Sequence, residues 1–482
     1  MSSALRARRE PALPRYEEIA RRYAAAIGRG TLAPGERFPS VRRLAAEEGA
    51  SVSTVLAAIA QLEALGLVEA RPRSGHFVRL RSRPPPPRPT VVPARAAASR
   101  VEVAELVARV FHAARDPRVV NLSHATPDPS LLPARGLARA LSSAVRGGEG
   151  GLRYEMPPGH LELRQAIARR ALSWGCDLGA DDLVVTGGAT EAIQLGLLAA
   201  VRPGDVVALE SPAYYGTLQA LEALGLRVVE VPCLPDVGMD LDELERRIDR
   251  HGARAVLAVP SFSNPLGSCM PEAARERLAG IVSRRGIPLL EDDVYGELAF
   301  GTARPRPVKA FDRDGSVMLC SSFSKTLAPG YRIGFAAPGR WRERVELLKF
   351  SLSVATATPV QRAVARYLRG GGYDRHLRLL REQLSRISAR TAAAVADAFP
   401  PGTRVSTPAG GCFLWVEMPA GVDSLELHAR SLDAGVSIAP GPIFSPAQGH
   451  RSCIRLSCGA PWDERIDAAV RLVGRLATRL AP

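Results

Sequence analysis

A run of four prolines at positions 84–87 constrains this chain more than any other local feature. Proline lacks a backbone N–H and fixes φ, so the run cannot continue a helix or enter the middle of a sheet. It favours an extended polyproline II segment instead. Because 482 residues are too many for one hydrophobic core, we expect separate domains on the two sides of this segment.

The part before the prolines is strongly basic. Residues 1–90 hold 16 Arg, no Lys and 8 Glu, a surplus of +8 within a net charge of +15 for the whole chain. Such a surplus is typical of a module that binds the phosphate backbone of a nucleic acid. An arginine-rich composition throughout the chain explains the charge equally well, so charge alone does not identify the module.

The pattern of apolar and capping residues over positions 14–79 predicts three helices followed by a hairpin. The predicted elements are helices from Tyr16 to Gly28, from Ser40 to Glu48 and from Ser51 or Ser53 to Leu65, and strands at Leu67–Ala70 and His76–Leu80. Three helices and a hairpin form a winged helix-turn-helix, whose third helix enters the major groove of DNA.

This segment resembles the GntR-type winged helix over its whole length. Its hallmarks are the sequences GERFPS at 35–40, LGLV at 65–68 and GHFV at 75–78. The residues that the resemblance places at DNA are Ser40, Arg42, Ser51, Ser53 and Thr54, with Arg73 and Gly75 at the wing. Val52 stands where the family often has arginine, so a base contact is either lost or replaced by an apolar contact with a thymine methyl. A winged helix that contacts only protein is the alternative.

Three parts of the chain are therefore expected: a DNA-binding domain at 11–80, a proline-rich linker at 81–99 and a larger domain at 100–482. In the larger part, strand-like apolar runs alternate with helical stretches, which indicates a mostly parallel sheet covered by helices. The runs are Leu183–Thr186, Val206–Leu209, Ala255–Val259, Pro288–Glu291 and Val317–Cys320. From about Arg362 onward, helices mixed with short strands indicate a smaller α+β lobe.

Lysine is scarce in this chain. Lys309, Lys325 and Lys349 are the only three, against 61 arginines. A bias toward arginine leaves lysine where arginine cannot replace it, and forming an imine with an aldehyde is one such role. Lys325 lies in SSFSKTLAPGYRIG at 321–334, which resembles the Schiff-base segment of fold-type I aminotransferases. The resemblance implies that Lys325 forms the internal aldimine of pyridoxal 5′-phosphate.

Other motifs follow predicted strands or glycine turns in the order expected of that fold. The residues that the resemblance assigns to the cofactor are Ala189, Thr190, Ser322, Ser324 and Arg332 at the phosphate, Tyr214 stacked on the pyridine ring, Asn264 and Tyr295 at O3′, and Asp292 at the ring nitrogen. Asp292 and Asp293 are adjacent, so the sequence leaves open which of them faces the ring.

Two further segments concern the effector and a second subunit. Arg455 resembles the arginine that binds the α-carboxylate of an amino acid, and an arginine within an apolar strand needs an anionic partner. Tyr154 resembles the tyrosine that reaches the phosphate of a neighbouring subunit, which implies a homodimer. Ala125 stands where the family commonly has glycine near the substrate, so the shape of the effector pocket differs there.

A GntR-type winged helix joined to an aminotransferase class I/II-like domain is the architecture of the MocR family, which the chain resembles over nearly its whole length. The resemblance implies a transcription regulator that binds double-stranded operator DNA and senses an amino acid or amine through an external aldimine. A catalytically active aminotransferase that carries a DNA-binding domain is the alternative.

The composition also excludes other classes of protein. No run of about 18 apolar residues exists and the N-terminus lacks an apolar signal core, so we expect a cytoplasmic protein without a membrane span. The seven cysteines are scattered, odd in number and free of CxxC pairs, which predicts a reducing compartment and neither a disulfide framework nor a metal site.

Overall fold

A computed structural model describes residues 14–28, 31–33, 35–71, 75–79, 86–95, 97–113, 116–146, 151–301 and 303–481. The chain divides into two compact units: Met1–Pro85 with Ala389–Asp397, and Pro86–Ser388 with Ala398–Pro482. The first division falls inside the run of prolines. Within the described residues, no helix combines the length and the apolar character that a bilayer crossing needs.

The N-terminal unit has the predicted winged helix-turn-helix fold. Its elements are α1 (Arg15–Gly28), α2 (Val41–Glu48), α3 (Val52–Ala64) and the antiparallel strands β1 (Val68–Arg71) and β2 (Gly75–Val78). Its core contains buried apolar side chains from all five elements, among them Ile19, Leu44, Val55, Leu62, Val68 and Val78. Burying these side chains fixes which faces of α2 and α3 remain in solvent.

The larger unit contains the remaining strands and helices, except that residues 389–397 of α13 (Gly372–Ala398) group with the first unit. Its strands are β3 (Ser99–Arg100), β4 (Val120–Asn121), β5 (Val184–Thr186), β6 (Val206–Ser211), β7 (Arg227–Leu234), β8 (Gly238–Met239), β9 (Ala255–Ala258), β10 (Leu289–Asp292), β11 (Val317–Ser322), β12 (Gly334–Ala337), β13 (Arg404–Val405), β14 (Phe413–Glu417), β15 (Val436–Ser437), β16 (Ala439–Pro440) and β17 (Cys453–Ser457). The remaining helices are α4 (Ala104–Ala113), α5 (Ala134–Arg146), α6 (Leu161–Ser173), α7 (Ala189–Ala200), α8 (Tyr215–Ala223), α9 (Leu241–His251), α10 (Glu272–Arg285), α11 (Arg342–Ser353), α12 (Thr358–Arg369), α13 (Gly372–Ala398), α14 (Ser424–Asp433) and α15 (Glu464–Leu480).

A nine-stranded sheet forms the centre of the larger unit. Its order is β3-β7-β6-β9-β10-β11-β12-β5, with β8 beside β7. Strands β7, β6, β9, β10 and β11 are parallel, and β12 is antiparallel to both β11 and β5. Strand β5 therefore runs in the same direction as β11. The carboxyl ends of these parallel strands and of β5 meet at one edge, where α/β proteins bind their ligands.

The predicted apolar runs are strands of this sheet. Every residue of β6 and of β11 is buried, because helices cover both faces of a parallel sheet. Burial on both faces explains why these strands are continuous apolar runs in the sequence rather than alternating ones. The observed strands differ from the predicted runs by one or two residues at their ends.

A second sheet lies near the C-terminus, where the sequence predicted a smaller α+β lobe. Its order is β13-β14-β17-β16, and all its pairs are antiparallel. We call this sheet with α14 and α15 the small lobe, and the nine-stranded sheet with its helices the large lobe. Strand β4 from the start of the unit pairs with β15, so the small lobe is not built from C-terminal residues alone.

Gly334, the first residue of β12, approaches the glycine turn before α7 very closely. A Cβ atom on Gly334 would lie 2.6 Å from backbone atoms of Gly188 and 2.7 Å from the Ser321 carbonyl oxygen. Because backbone cannot rotate away, we expect Gly334→Ala to lower the free energy of unfolding by about 1–3 kcal/mol.

The matched control is Gly330→Ala, since no atom lies within 4 Å of an added Cβ there. Urea denaturation of both variants measures the difference. Equal stability of the two variants would contradict the close approach of β12 to the glycine turn.

Candidate functional site

One pocket of about 160 Å³ lies at the carboxyl edge of the large sheet. It is lined by ten of the residues that the sequence assigned to a cofactor: Ala189, Thr190, Tyr214, Asn264, Asp292, Tyr295, Ser322, Ser324, Lys325 and Arg332. They are far apart in sequence, and the strand ends bring them together. Their roles stay predictions, but the structure places them in one site.

The end of the pocket beside α7 is suited to a phosphate. Gly188, at φ 104°, precedes the first turn of α7, whose backbone N–H groups have no partners within the helix. A Cβ on Gly188 would lie 2.4 Å from a guanidinium nitrogen of Arg332, so a side chain here would displace this cation from its present position. Arg332 donates to the Gly187 carbonyl oxygen at 2.8 Å and to Ser324 Oγ at 3.2 Å. The hydroxyls of Ser322 and Ser324, the first N–H groups of α7 and the Arg332 guanidinium therefore lie together at this end of the pocket.

Glu191 and Lys349 stabilise this turn, and sequence reasoning did not single them out for this role. Glu191 accepts a 2.5 Å hydrogen bond from Gly187 N–H and a 2.8 Å contact from the buried Lys349 ammonium. Burial opposes ionisation of Glu191, but these donors outweigh it and lower its pKa. A carboxylate in the first turn of a helix is a common solvent-facing pattern, so the sequence held no signal for this contact.

Lys325 lies at the centre of the pocket. Its Nζ donates to the Ala125 carbonyl oxygen and to Thr126 Oγ1, both at 2.8 Å. Burial lowers the pKa of Lys325, and the cations Arg455 and Arg332 add to this effect. A lowered pKa increases the fraction of unprotonated amine, the form that attacks a carbonyl carbon.

The two adjacent aspartates differ in what they contact. Asp292, the last residue of β10, lines the pocket, whereas Asp293 forms a buried ion pair with Arg304 at 2.7 Å. Burial raises the pKa of Asp292 to about 7. A cation bound next to Asp292 would stabilise its carboxylate, so this acid is available to a protonated ring nitrogen and Asp293 is not.

Arg455, on β17 of the small lobe, is completely buried beside the pocket. It donates to Asn264 Oδ1 at 2.7 Å and to the Ser123 carbonyl oxygen. Within the described part of the chain it forms no ion pair with an acid, and its Nε has no hydrogen-bond partner. Asn264 also donates to the Tyr295 hydroxyl at 3.3 Å. A buried guanidinium with an unused donor is suited to an anion such as a carboxylate.

His124, which the sequence analysis did not assign to the site, belongs to the segment that carries Ala125. Burial lowers the pKa of His124, and the positive charges of Arg455 and Lys325 lower it further. The imidazole stacks on Phe111 with ring centroids 4.9 Å apart. His124 is therefore a neutral ring near the two groups that would hold an amino acid.

Tyr154 is the predicted cofactor residue that does not line the pocket. Its side chain is 78% exposed. Exposure agrees with a role toward another copy of the chain and does not establish one.

The predicted DNA contacts at the start of α3 form a cluster of hydroxyls. Ser51 caps α3 by accepting a hydrogen bond from Thr54 N–H at 3.1 Å, which settles the choice between Ser51 and Ser53 as cap. The hydroxyls of Ser53 and Thr54 each lie 2.8 Å from the Ser51 hydroxyl. Val52, in the same turn, is 51% exposed, so an apolar contact with a base is available to it.

The remaining DNA-facing predictions lie on α2 and the wing. Ser40 caps α2 through a hydrogen bond from Arg43 N–H, and Arg42 is exposed beside it. Gly75 opens β2 at φ 97°, and an added Cβ there would lie 3.7 Å from the guanidinium of Arg37. Arg37, part of a hallmark of the module, is thus a further cation at the wing. Arg73 lies outside the described residues.

Two family models match the chain. The model described as "Bacterial regulatory proteins, gntR family" matches residues 15–78, and the model described as "Aminotransferase class I and II" matches residues 119–473. The first match coincides with the winged helix-turn-helix. The second covers most of the chain and includes the whole pocket.

Several relatives share one or both parts. The uncharacterized HTH-type transcriptional regulators YjiR and YdcR of Escherichia coli are each 37% identical, over 97% and 96% of this chain and 99% of theirs. LysN, an α-aminoadipate aminotransferase of Thermus thermophilus solved with N-(5′-phosphopyridoxyl)-L-leucine, matches with a TM-score of 0.71 at 29% identity, over 78% of this chain and 94% of that one. The chain therefore belongs to the aminotransferase class I and II family and, with its gntR-family domain, is built as a MocR-type transcription regulator.

Proposed function

We propose that the protein regulates transcription by binding operator DNA in a way that depends on an amino acid or amine held at a pyridoxal-phosphate site. The observation that carries the proposal is that Lys325 lines the pocket while Arg455 lies beside it and donates to Asn264, another lining residue. The first is an amine of lowered pKa, and the second is a buried guanidinium without an acidic partner among the described residues. The same chain carries an exposed helix-turn-helix.

The residues present fit pyridoxal phosphate. The hydroxyls of Ser322 and Ser324, the guanidinium of Arg332 and the first N–H groups of α7 are donors suited to a phosphate. Asp292, whose pKa is raised by burial, forms no ion pair among the described residues. When bound, the cofactor supplies an aldehyde carbon that bonds reversibly to amines. Tyr214 lies where it can stack on the ring, and Asn264 and Tyr295 lie where they can hydrogen-bond its hydroxyl oxygen.

The effector we propose is an amine that carries a carboxylate. Its amine displaces Lys325, and its carboxylate takes the unused donor of Arg455. Lys325 is on the large lobe and Arg455 is on the small lobe, so such a molecule bridges the two. Binding then alters DNA affinity only to the extent that the effector binds more tightly to one DNA-binding state than to the other.

We propose a homodimer in which Tyr154 reaches the phosphate of the partner's cofactor. A dimer would present two winged helices to two half-sites of an operator. The domain limits we propose are 11–80 for DNA binding, 81–99 for the linker and 100–482 for the effector domain. The protein would act in the cytoplasm, where the operator is.

A working aminotransferase is the second candidate. The site favours it because Lys325 and Asp292 line the pocket and Arg455 lies beside it, and the 2-aminoadipate transaminase of Thermus thermophilus is 31% identical over 78% of this chain and 94% of its own length. Incubation with amino acids and 2-oxo acids distinguishes the two. Sustained formation of new amino acid supports the enzyme, and a single spectral change without turnover supports the regulator.

We predict that Arg455→Ala weakens only effectors that carry a carboxylate. Aminooxyacetate and methoxyamine both react with the cofactor's aldehyde carbon, and only aminooxyacetate has a carboxylate. Loss of a charge-assisted hydrogen bond should weaken the binding of aminooxyacetate by about 10- to 100-fold and leave the binding of methoxyamine unchanged.

Spectral titration of the holo-protein with each compound measures this effect. Arg430→Gln, a change at an exposed arginine of α14, is the control and should bind both as the wild type does. An equal loss for the two compounds would show that Arg455 acts through the fold and not through the carboxylate.

We predict that the double substitution of Arg42 and Thr54 by alanine abolishes specific DNA binding and spares the cofactor. Each lost phosphate contact should reduce the slope of log K against log salt by about 0.9. Binding to a duplex selected from random DNA by the full-length protein provides the measurement. Arg21→Ala, at an exposed arginine of α1, is the control. Unchanged affinity of the double variant would exclude this surface as the DNA contact.

A further inference from the structure

Residues 87–95 of the linker, which we call the strap, are bound to both lobes of the larger unit. They contain no helix or strand, yet a series of specific hydrogen bonds fixes them. On their C-terminal side, Ser99 and Arg100 form β3 and pair with β7 at the edge of the large sheet. A spacer that only kept two domains apart would not need these contacts.

The first half of the strap is attached to the small lobe. The backbone N–H of Val405, on β13, donates to the Pro87 carbonyl oxygen at 2.9 Å. Thr90 donates twice to Glu417, on β14: its N–H and its hydroxyl each lie 2.6 Å from a carboxylate oxygen. Hydrogen bonds to an ionised carboxylate are stronger than neutral ones. Glu417 therefore fixes Thr90 in position on the small lobe.

The strap is also attached to the large lobe. The guanidinium of Arg88 forms an ion pair with Asp236, in the turn between β7 and β8. Further along, the buried Arg247 of α9 donates to the carbonyl oxygens of Arg95 at 2.8 Å and Ala94 at 3.4 Å. Only residues 91–93 separate Thr90 on one lobe from Ala94 on the other, and one of the three is proline. So short a segment has little slack to absorb a change in the distance between the lobes.

Glu417, which binds the strap on the small lobe, is on the strand next to the one that carries Arg455. Strand β14 pairs with β17, so that Glu417 is opposite Cys453 and Trp415 is opposite Arg455. A displacement of β17 that followed engagement of Arg455 would therefore move Glu417, and with it Thr90.

Asp236, which binds the strap on the large lobe, contacts the loop that carries Asn264 of the effector site. The Asp236 carbonyl oxygen accepts a hydrogen bond from Cys269 N–H at 3.2 Å, at the end of the loop that carries Asn264. A cavity of about 290 Å³, lined in part by Arg88, Cys269 and Pro408, lies under the strap between these attachments. The cavity leaves room for the two lobes to approach each other.

We infer that the strap transmits closure of the lobes around a carboxylated effector to the DNA-binding unit, with Arg88 and Thr90 as its attachment points. The inference rests on the proposed function and adds the route by which the site regulates DNA binding. Strand β2 of the wing ends at Val78, so residues 79–86 join the wing covalently to the strap. Movement of the lobes would shift Pro87, to which the wing is joined through these residues.

The test combines Arg88→Gln with Thr90→Val in the full-length holo-protein, which removes the ion pair and the hydroxyl donor at two exposed linker residues. The control is Arg95→Gln, the same change at an exposed strap arginine that takes part through its backbone oxygen. Aminooxyacetate is the probe, and a duplex selected from random DNA by the wild type is the ligand. For each protein, the ratio of DNA dissociation constants with and without the probe is measured, together with uptake of the probe and the melting temperature.

We expect a ratio of at least about fivefold, in either direction, for the wild type and for Arg95→Gln. The ratio of the strap variant should fall to within about twofold of unity, while its probe uptake and melting temperature stay as in the wild type. The charge-swapped pair Arg88→Asp with Asp236→Arg should keep the wild-type ratio.

Three results would overturn the inference, and they differ in what else they reject. A strap variant that keeps the wild-type ratio would reject the strap alone, because the effector response would then travel by another route. If the wild type takes up the probe but its DNA dissociation constant does not change, both the proposed function and the role of the strap are rejected. A strap variant that loses DNA binding without the probe would show that these residues belong to the DNA-binding surface, which also contradicts the inference.

Discussion

The carboxyl ends of the parallel strands and of β5 share one edge of the large sheet, and every residue that the large lobe contributes to the candidate site depends on that arrangement. Strand β10 ends at Asp292, β11 leads into Ser324 and Lys325, and β5 leads into the glycine turn before α7. Strand direction alone brings an acid, an amine and a phosphate-binding turn within one pocket. Arg455 comes from the small lobe, so the effector site is complete only where the two lobes meet.

Each of the three lysines has specific hydrogen-bond acceptors for its side-chain nitrogen. Lys325 lines the pocket, while Lys309 and Lys349 are buried and donate to Asp312 and Glu191. The scarcity of lysine pointed to Lys325 in the sequence. In the structure, Lys309 and Lys349 also have specific partners. A guanidinium is larger and planar, so arginine would not reproduce the contacts of these nitrogens.

Regular periodicity and strand order made the fold predictable from the sequence. The helices of the winged domain and five strands of the large sheet, β5, β6, β9, β10 and β11, lie within one or two residues of the predicted bounds, because burial on one or two faces imposes a pattern on each element. The choice between Asp292 and Asp293 required the structure, since it depends on the ion pair of Asp293 with Arg304 across 11 positions of sequence. The role of Glu191 and the attachment of Thr90 to Glu417 were not predictable, because contacts between residues 158 and 327 positions apart leave no local pattern.

The central claim is a covalent bond between the Lys325 amine and the aldehyde of pyridoxal phosphate. Borohydride reduction of the purified holo-protein followed by peptide mass spectrometry tests it directly, because the chain offers only three lysines. The account predicts one phosphopyridoxyl group on the peptide that contains Lys325, and none after prior treatment with aminooxyacetate. A protein that gains no mass, or that gains it on Lys309 or Lys349, would contradict it.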